Sequence, residues 1–366
     1  MSTLLTIDLE SLEDNYRFCS DRLRPASVAA VVKADAYGLG VRKIAPVLWH
    51  AGCTQFFTAT HREGLTLRGV LPDAEIYILE GVTDQSVAAC YDHQLTPVLV
   101  SPDHTALWSA QARHVGRSLP AIIHIDTGMT RLGFGERELH ELLEQGGDLA
   151  WLDTRYVMTH YACADEPGAE KTRDQLERFN RLRKLLPPAP TSVGNSAGGL
   201  LGNEFSGDMA RVGIALFGGS PYQEETPDLK PVVRVQSRIL QIREVSKGTT
   251  VGYGATFAAR KSMRIATVGI GYADGYPWSL GNRGIASVAG YRVPVVGRVS
   301  MDMITLDVTG VPNELLKPGC MVDLIGPDIS LEEVAERAGT INYEILTRLS
   351  QRARRRFLND PGHRKS

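Results

Sequence analysis

Lys33 ends an apolar run, SVAAVVK, and precedes the Gly-containing segment ADAYGLG. An amine at a strand end has chemistry available only if it loses its proton. A free lysine titrates near 10.4, so about one molecule in a few thousand is neutral at pH 7. Desolvation lowers that value and makes the amine a nucleophile able to form a Schiff base with an aldehyde. Taken alone, the residue reads first as a lysine whose stem snorkels along a strand edge. Five further segments carry candidate groups. SVGNSAGGL (192–200) has short residues that let backbone N–H groups converge on an anion, although it lacks the Walker spacing. ARVGIALFG (210–218) sets Arg211 beside the small Gly213, facing a ring nitrogen, a phosphate or a structural ion-pair partner. DTGMTRLGF (126–134) puts Arg131 in a Gly-bracketed loop, suited to bidentate carboxylate binding. VGYGATF (251–257) presents Tyr253 between two glycines, and His160 ends the run YVMTH.

These residues need a frame. Apolar runs at 27–32, 55–60, 75–80, 96–101, 121–126, 154–160, 191–195 and 212–218 read as eight buried strands, rich in β-branched and aromatic residues. Helical stretches lie between them. SPDHTALWSAQARHV opens with a Ser-Pro start signal, and Leu176, Phe179, Leu182 and Leu185 recur on roughly one helical face. Such alternation predicts an α/β fold, a (β/α)8 barrel in preference to an open doubly wound sheet, with strand C-terminal ends lining the active-site face. From about residue 230 the texture becomes short alternating strands with Gly and Pro turns. This predicts two domains, a barrel over 1–230 and a mainly β domain over 231–366, the latter with helices at LEEVAERAG and at NYEILTRLSQRARRRF. The RARRR run reads as the solvated basic end of that last helix, and the tail LNDPGHRKS as frayed.

Composition narrows the function classes. With 40 Lys+Arg against 42 Asp+Glu, nothing drives the chain toward nucleic acid. No apolar stretch reaches the roughly 18–20 residues of a membrane helix, and the acidic N-terminal segment argues against a secretory signal. The five cysteines are scattered without a C-x-x-C, so neither a disulfide framework nor a metal site is expected. A cytoplasmic location follows as the expectation.

Together, AVVKADAYGLG, DTGMTRLGF, MTHYACAD, VGNSAGG, ARVGIALFG, VGYGATF, VGIGYADGYP and GRVSMDM occur in an order that resembles the alanine racemases, fold-type III pyridoxal-phosphate enzymes. The resemblance spans about residues 5 to 355. It implies a homodimer with shared active sites that interconverts L- and D-alanine, connected with D-alanine for cell-wall peptidoglycan. By the same resemblance, Lys33 carries pyridoxal 5′-phosphate. Tyr37, Ser196, Gly213, Ile214 and Tyr343 hold the phosphate, with Asn195 beside them. Arg211 faces the pyridine nitrogen, His160 flanks the ring, and Arg131 orients the substrate carboxylate. Tyr253 and Met301 come from the other subunit, with Lys33 the base on the D side and Tyr253 on the L side. A phenol ordinarily titrates near 10, so positive potential is expected from a His160–Arg211 network. One departure stands out. Many members have a carbamylated lysine where this chain has His124, which leaves the support of Arg131 open. Three other readings share features with this one: a fold-type III decarboxylase, a pyridoxal-phosphate-binding barrel without catalysis, and a racemase of broader range that includes serine. An arginine at 211 argues against the first, and the β region with Tyr253 against the second.

Overall fold

The computed structural model describes residues 3–145, 148–222, 227–349 and 351–360. Eight parallel strands build the first unit: β2 (Ser27–Val31), β3 (Gln55–Thr58), β4 (Glu75–Ile78), β5 (Leu95–Leu99), β6 (Leu119–His124), β7 (Leu152–Met158), β8 (Thr191–Ser192) and β9 (Met209–Val212). They pair in chain order from β2 to β8, and β9 returns to pair with β2. Just past β8 the ring closes through a bridge between Asn195 and Arg211. This is the expected (β/α)8 barrel. Strands β2 to β6 are buried along nearly their whole length because one face meets the barrel interior and the other meets helices. The helix Pro102–Val115 shows the local logic: Ser101 accepts the His104 N–H, Pro102 fills the first turn, and Gly116 ends the helix at φ 70°.

The second unit is a mixed sheet. β1 (Leu4–Asp8), preceding the barrel in the chain, lies between β10 (Val233–Val245) and β18 (Arg354–Leu358). Strands β11 (Thr250–Val251) and β12 (Phe257–Ala258) form a separate hairpin. β13 (Met263–Val268) pairs with β10 and with β16 (Ile304–Asp307), while β14 (Ile285–Val288) joins β15 (Tyr291–Pro294) to β17 (Met321–Ile325). β10 alternates buried and exposed positions at its start, as a strand with one wet face does. Among the described residues no helix is long and apolar enough to cross a membrane.

Three sequence expectations are corrected. The apolar run 212–218 is not one strand: β9 stops at Val212, and Ile214–Phe217 forms a 3-10 turn between Gly213 and Gly218. The run 191–195 is extended only over Thr191–Ser192. The last helix stops at Arg348, and Arg354–Leu358 is a strand parallel to β1, so RARRR is not a helix end. Parallel pairing with β1 satisfies that backbone, which the local sequence does not announce. In the expected frayed tail, Leu358 is in β18 and Asp360 pairs with Lys43 at 3.0 Å. Residues 361–366 lie outside the described residues.

Candidate active site

A cavity of about 1290 Å³ opens at the C-terminal ends of the barrel strands. It is lined by Lys33, Tyr37, His124, Arg131, His160, Asn195, Ser196, Arg211, Gly213, Ile214 and Tyr343. Segments separated by more than 300 residues thus converge on one face.

Lys33 stands where β2 ends. Burial lowers the pKa of its amine, and the positive charges of Arg131 and Arg211 lower it further, against an opposing pull from Glu63. The four residues that follow it, Ala34 to Tyr37, have φ between 53° and 55°. This is a left-handed turn, costing L-residues roughly 1–2 kcal/mol each. It turns Tyr37 inward. The Tyr37 ring is buried, 4.8 Å from that of Phe217 and 6.1 Å from that of Tyr343. Its hydroxyl lies against Gly213, where an added Cβ would sit 2.2 Å from the Tyr37 oxygen. Gly213 donates its N–H to Ser196 Oγ at 2.9 Å. Asn195 caps the short helix Ser196–Leu201, accepting the Gly198 N–H at 2.8 Å. The hydroxyls of Tyr37 and Ser196 thus meet at the Gly213 backbone, with the Tyr343 ring tilted beside that of Tyr37.

Arg211, on β9, is 3% exposed and almost saturated with acceptors. One terminal nitrogen donates to Ser192 O (2.8 Å) and Ser192 Oγ (2.7 Å). The other donates to Thr159 O (2.7 Å), to Val193 O (3.4 Å) and to His160 Nδ1 (3.1 Å). Burial lowers its pKa to about 10, which leaves the guanidinium charged at neutral pH. A guanidinium only donates, so His160 Nδ1 must be an unprotonated acceptor. Burial, then Arg211 and Arg131, hold His160 well below its ordinary value. The positive potential expected from a His160–Arg211 network therefore resides on Arg211 alone.

Arg131 sits at the cavity mouth on a loop whose shape is set by Asp126. That carboxylate accepts the N–H groups of Gly128 (2.9 Å), Met129 (3.0 Å) and Thr130 (3.1 Å). The loop closes where Phe134 N–H donates to His124 O at 2.8 Å. Gly133, at φ 111°, passes so close that a Cβ would meet Asp126 N at 2.8 Å. Burial, followed by the charge of Arg211, brings the His124 imidazole down to about 3, so it is neutral here. The arginine loop thus takes its shape from Asp126 and from the His124 backbone.

Sequence reasoning missed Gln175. This fully buried side chain accepts the Ala162 N–H (2.9 Å) and donates to His160 O (2.9 Å) and Thr127 Oγ1 (3.2 Å). It couples the His160 segment to the start of the arginine loop. A signal existed: Gln175 falls on the buried stripe Thr172, Gln175, Phe179, Leu182 of its helix, where a polar residue is out of place. Glu63 was missed too; it accepts the Ala34 N–H at 2.9 Å and the Ala59 N–H at 2.8 Å.

Tyr253 and Met301 are not brought to the cavity within one chain. Tyr253 is 70% exposed, between Gly252 (φ 75°) and Gly254 (φ 71°), and Met301 is 54% exposed. Both lie in the β unit, with Met301 O accepting the N–H of Ala273, next to the exposed Tyr272. No cluster of His, Cys, Asp and Glu among the described residues is arranged to hold a metal ion.

The chain matches two family models: the alanine racemase N-terminal domain over residues 7–221 and the C-terminal domain over residues 232–357. The alanine racemase of Rhodospirillum rubrum is 46% identical over 358 residues, 97% of this chain and 96% of that protein. A catabolic alanine racemase of Agrobacterium fabrum is 45% identical over 359 residues, 98% of this chain and 92% of that protein. The crystal structure of the Bartonella henselae alanine racemase, with covalently bound pyridoxal phosphate, superposes with a TM-score of 0.94 at 37% identity, covering 98% of this chain and all of that one. The biosynthetic alanine racemase of Pseudomonas aeruginosa gives a TM-score of 0.91 at 32% identity, over 97% of this chain and 99% of the other. With both units matched and nearly every residue covered, the chain belongs to the alanine racemase family.

Proposed function

We propose that this protein is an isomerase that interconverts L- and D-alanine with pyridoxal 5′-phosphate. The observation that carries the reading is the opposition, in one cavity, of the desolvated Lys33 amine, a charged Arg211 fixed by hydrogen bonds through both terminal nitrogens, and the hydroxyl cradle at Gly213. This donor set fits the cofactor. Lys33 would hold its aldehyde carbon, and Tyr37, Ser196, Tyr343 and the Gly213–Ile214 backbone its phosphate. Arg211 would face the pyridine nitrogen, with His160 beside the ring and Asn195 fixing the helix that carries Ser196. When bound, the cofactor supplies an electron-withdrawing ring that spreads negative charge from the substrate Cα.

The chain's own groups do the rest. Arg131 binds the substrate carboxylate and fixes which bond at Cα stands over the ring. Lys33 Nζ, whose burial and cationic neighbours favour the unprotonated amine, takes or returns the Cα proton on the D face. Arg211, a donor only, would give the ring nitrogen a hydrogen bond and could not accept one from a protonated ring. The cofactor would then withdraw electrons only moderately, a condition that disfavours transamination. The L face needs a second base. We assign that base to Tyr253 of a second copy, with Met301 beside it, in a homodimer. In this assignment 1–230 supplies most of the cofactor site, and 231–366 adds Tyr343 to it and lends its surface to the partner site. The balanced charge and the absence of a membrane-crossing helix among the described residues are in keeping with a cytoplasmic enzyme. D-alanine for peptidoglycan is its natural product or substrate.

The test is direct. L-alanine incubated with the purified protein and pyridoxal phosphate loses its circular dichroism with no release of CO₂. Lys33→Ala abolishes both the reaction and the visible absorbance of the bound cofactor. Mixing inactive Lys33→Ala with inactive Tyr253→Phe restores about a quarter of wild-type activity, since half the dimers are mixed and each has one intact site. Unchanged rotation, or CO₂ in proportion to lost substrate, would sink the proposal.

A further inference from the structure

The turn between Lys33 and Gly38 joins two ends of the cavity. Lys33 begins it, and Tyr37, whose hydroxyl reaches Gly213, ends it. Its left-handed backbone is intrinsically unfavourable for the four L-residues Ala34 to Tyr37, so the separation of Lys33 from Tyr37 persists only while outside contacts hold the turn wound. At its start, Glu63 accepts the Ala34 N–H at 2.9 Å. At its end, a residue about three hundred positions away closes it. Arg355, in β18, donates to Gly38 O at 2.7 Å, with its other terminal nitrogen 3.9 Å from Asp35 Oδ2. Gly40 makes room, since a Cβ there would lie 3.1 Å from the Arg355 guanidinium. The Arg355 side chain is 15% exposed, against 50% for Arg352, which sits on the same C-terminal stretch. Asp35 itself folds back to accept the Val41 N–H at 2.8 Å.

We infer that Arg355 is a positioning residue: with Glu63 it clamps the left-handed turn from the opposite end, so that the C-terminal strand sets how Lys33 and Tyr37 are spaced for pyridoxal phosphate. The inference rests on the cofactor reading proposed above. It separates Arg355 from its neighbours Arg354 and Arg356, which face away from the turn along an alternating strand.

The experiment uses the full-length holoenzyme. Equilibrium dialysis against graded pyridoxal phosphate gives cofactor affinity, and hydrogen exchange gives protection at residues 34–41. Arg355→Ala weakens cofactor affinity about tenfold, equivalent to about 1.4 kcal/mol, and speeds exchange at Ala34, Ala36, Gly38 and Gly40. Arg355→Lys, still able to reach the Gly38 carbonyl with a cation, recovers part of both. Exchange in β1 and β10 stays as in the wild type. A lower melting temperature with faster exchange in β1 and β18, but unchanged cofactor affinity, would show a merely structural tie and overturn the inference. If the alanine variant does not fold, Arg355→Lys and Glu63→Gln carry the test. Unaltered exchange over 34–41 in both overturns it. A wild-type protein that takes up no pyridoxal phosphate refutes the functional reading instead, and the exchange arm alone then decides the role of Arg355.

Discussion

Gly213→Ala tests the geometry of the cradle most sharply. Gly213 has φ −123° and ψ −88°, outside the left-handed region, so alanine meets no positive-φ penalty there. The obstacle is contact. The new methyl would sit 2.2 Å from Tyr37 Oη and 3.0 Å from its Cζ, where ordinary contact begins at 3.4 Å. A free tyrosine would swing aside, but this one is packed against Phe217 and Tyr343 and its backbone is fixed in the left-handed turn. Overpacking of a closed site ordinarily costs about 1–3 kcal/mol. The Tyr37 hydroxyl must move by about an ångström, and the hydrogen bond proposed from it to the cofactor phosphate would be lost, at about 1.5–3 kcal/mol for a charged acceptor. Cofactor affinity should therefore fall by at least tenfold in absorbance titrations, together with a lower melting temperature. Tyr37→Phe removes the atom at 2.2 Å. Placed on Gly213→Ala, it should recover most of the lost melting temperature, with a coupling of about 1–2 kcal/mol in the double-mutant cycle. If Gly213→Ala melts and binds like the wild type, or if Tyr37→Phe adds its own loss without rescue, the contact is not what the structure indicates.

Three other expectations follow from particular residues. The native pKa of His124, about 3, is below its ordinary value near 6.5, so the folded state binds fewer protons than the unfolded one and stability falls as pH drops through this window; at pH 5 the loss is about 2 kcal/mol, and His124→Gln should flatten the dependence of melting temperature on pH between 7 and 5. Gln175→Leu strips the Ala162 N–H and the His160 carbonyl of their partner, and should lower stability by about 1–3 kcal/mol per stranded group; equal stability in denaturant melts would argue against this network. Gly133→Ala must strain a φ of 111° and press on Asp126 N, so it should destabilise by more than about 1 kcal/mol, and it should raise the KM for alanine more than it lowers kcat by displacing Arg131.

Local pattern determined a good deal. The barrel was readable because strands buried on both faces must be apolar throughout, and β2 to β6 show it. Lys33, Arg131, His160 and Arg211 stood out by their places near strand and loop boundaries, but their expected roles came from the resemblance of their motifs to the alanine racemases. Tertiary structure alone decided what surrounds them. The apolar run 212–218 gave no sign that Gly213 breaks it, since burial is equal in a strand and in a 3-10 turn. RARRR became a strand because β1, some 350 positions earlier, offers its edge. His160 is a neutral acceptor because Arg211 from another strand donates to it. The reach of Arg355 to Gly38 spans 317 positions. Propensity and periodicity are properties of neighbouring residues, whereas a protonation state, a hydrogen-bond partner or a clamp on a strained turn depends on groups that only folding brings within 3 Å of each other.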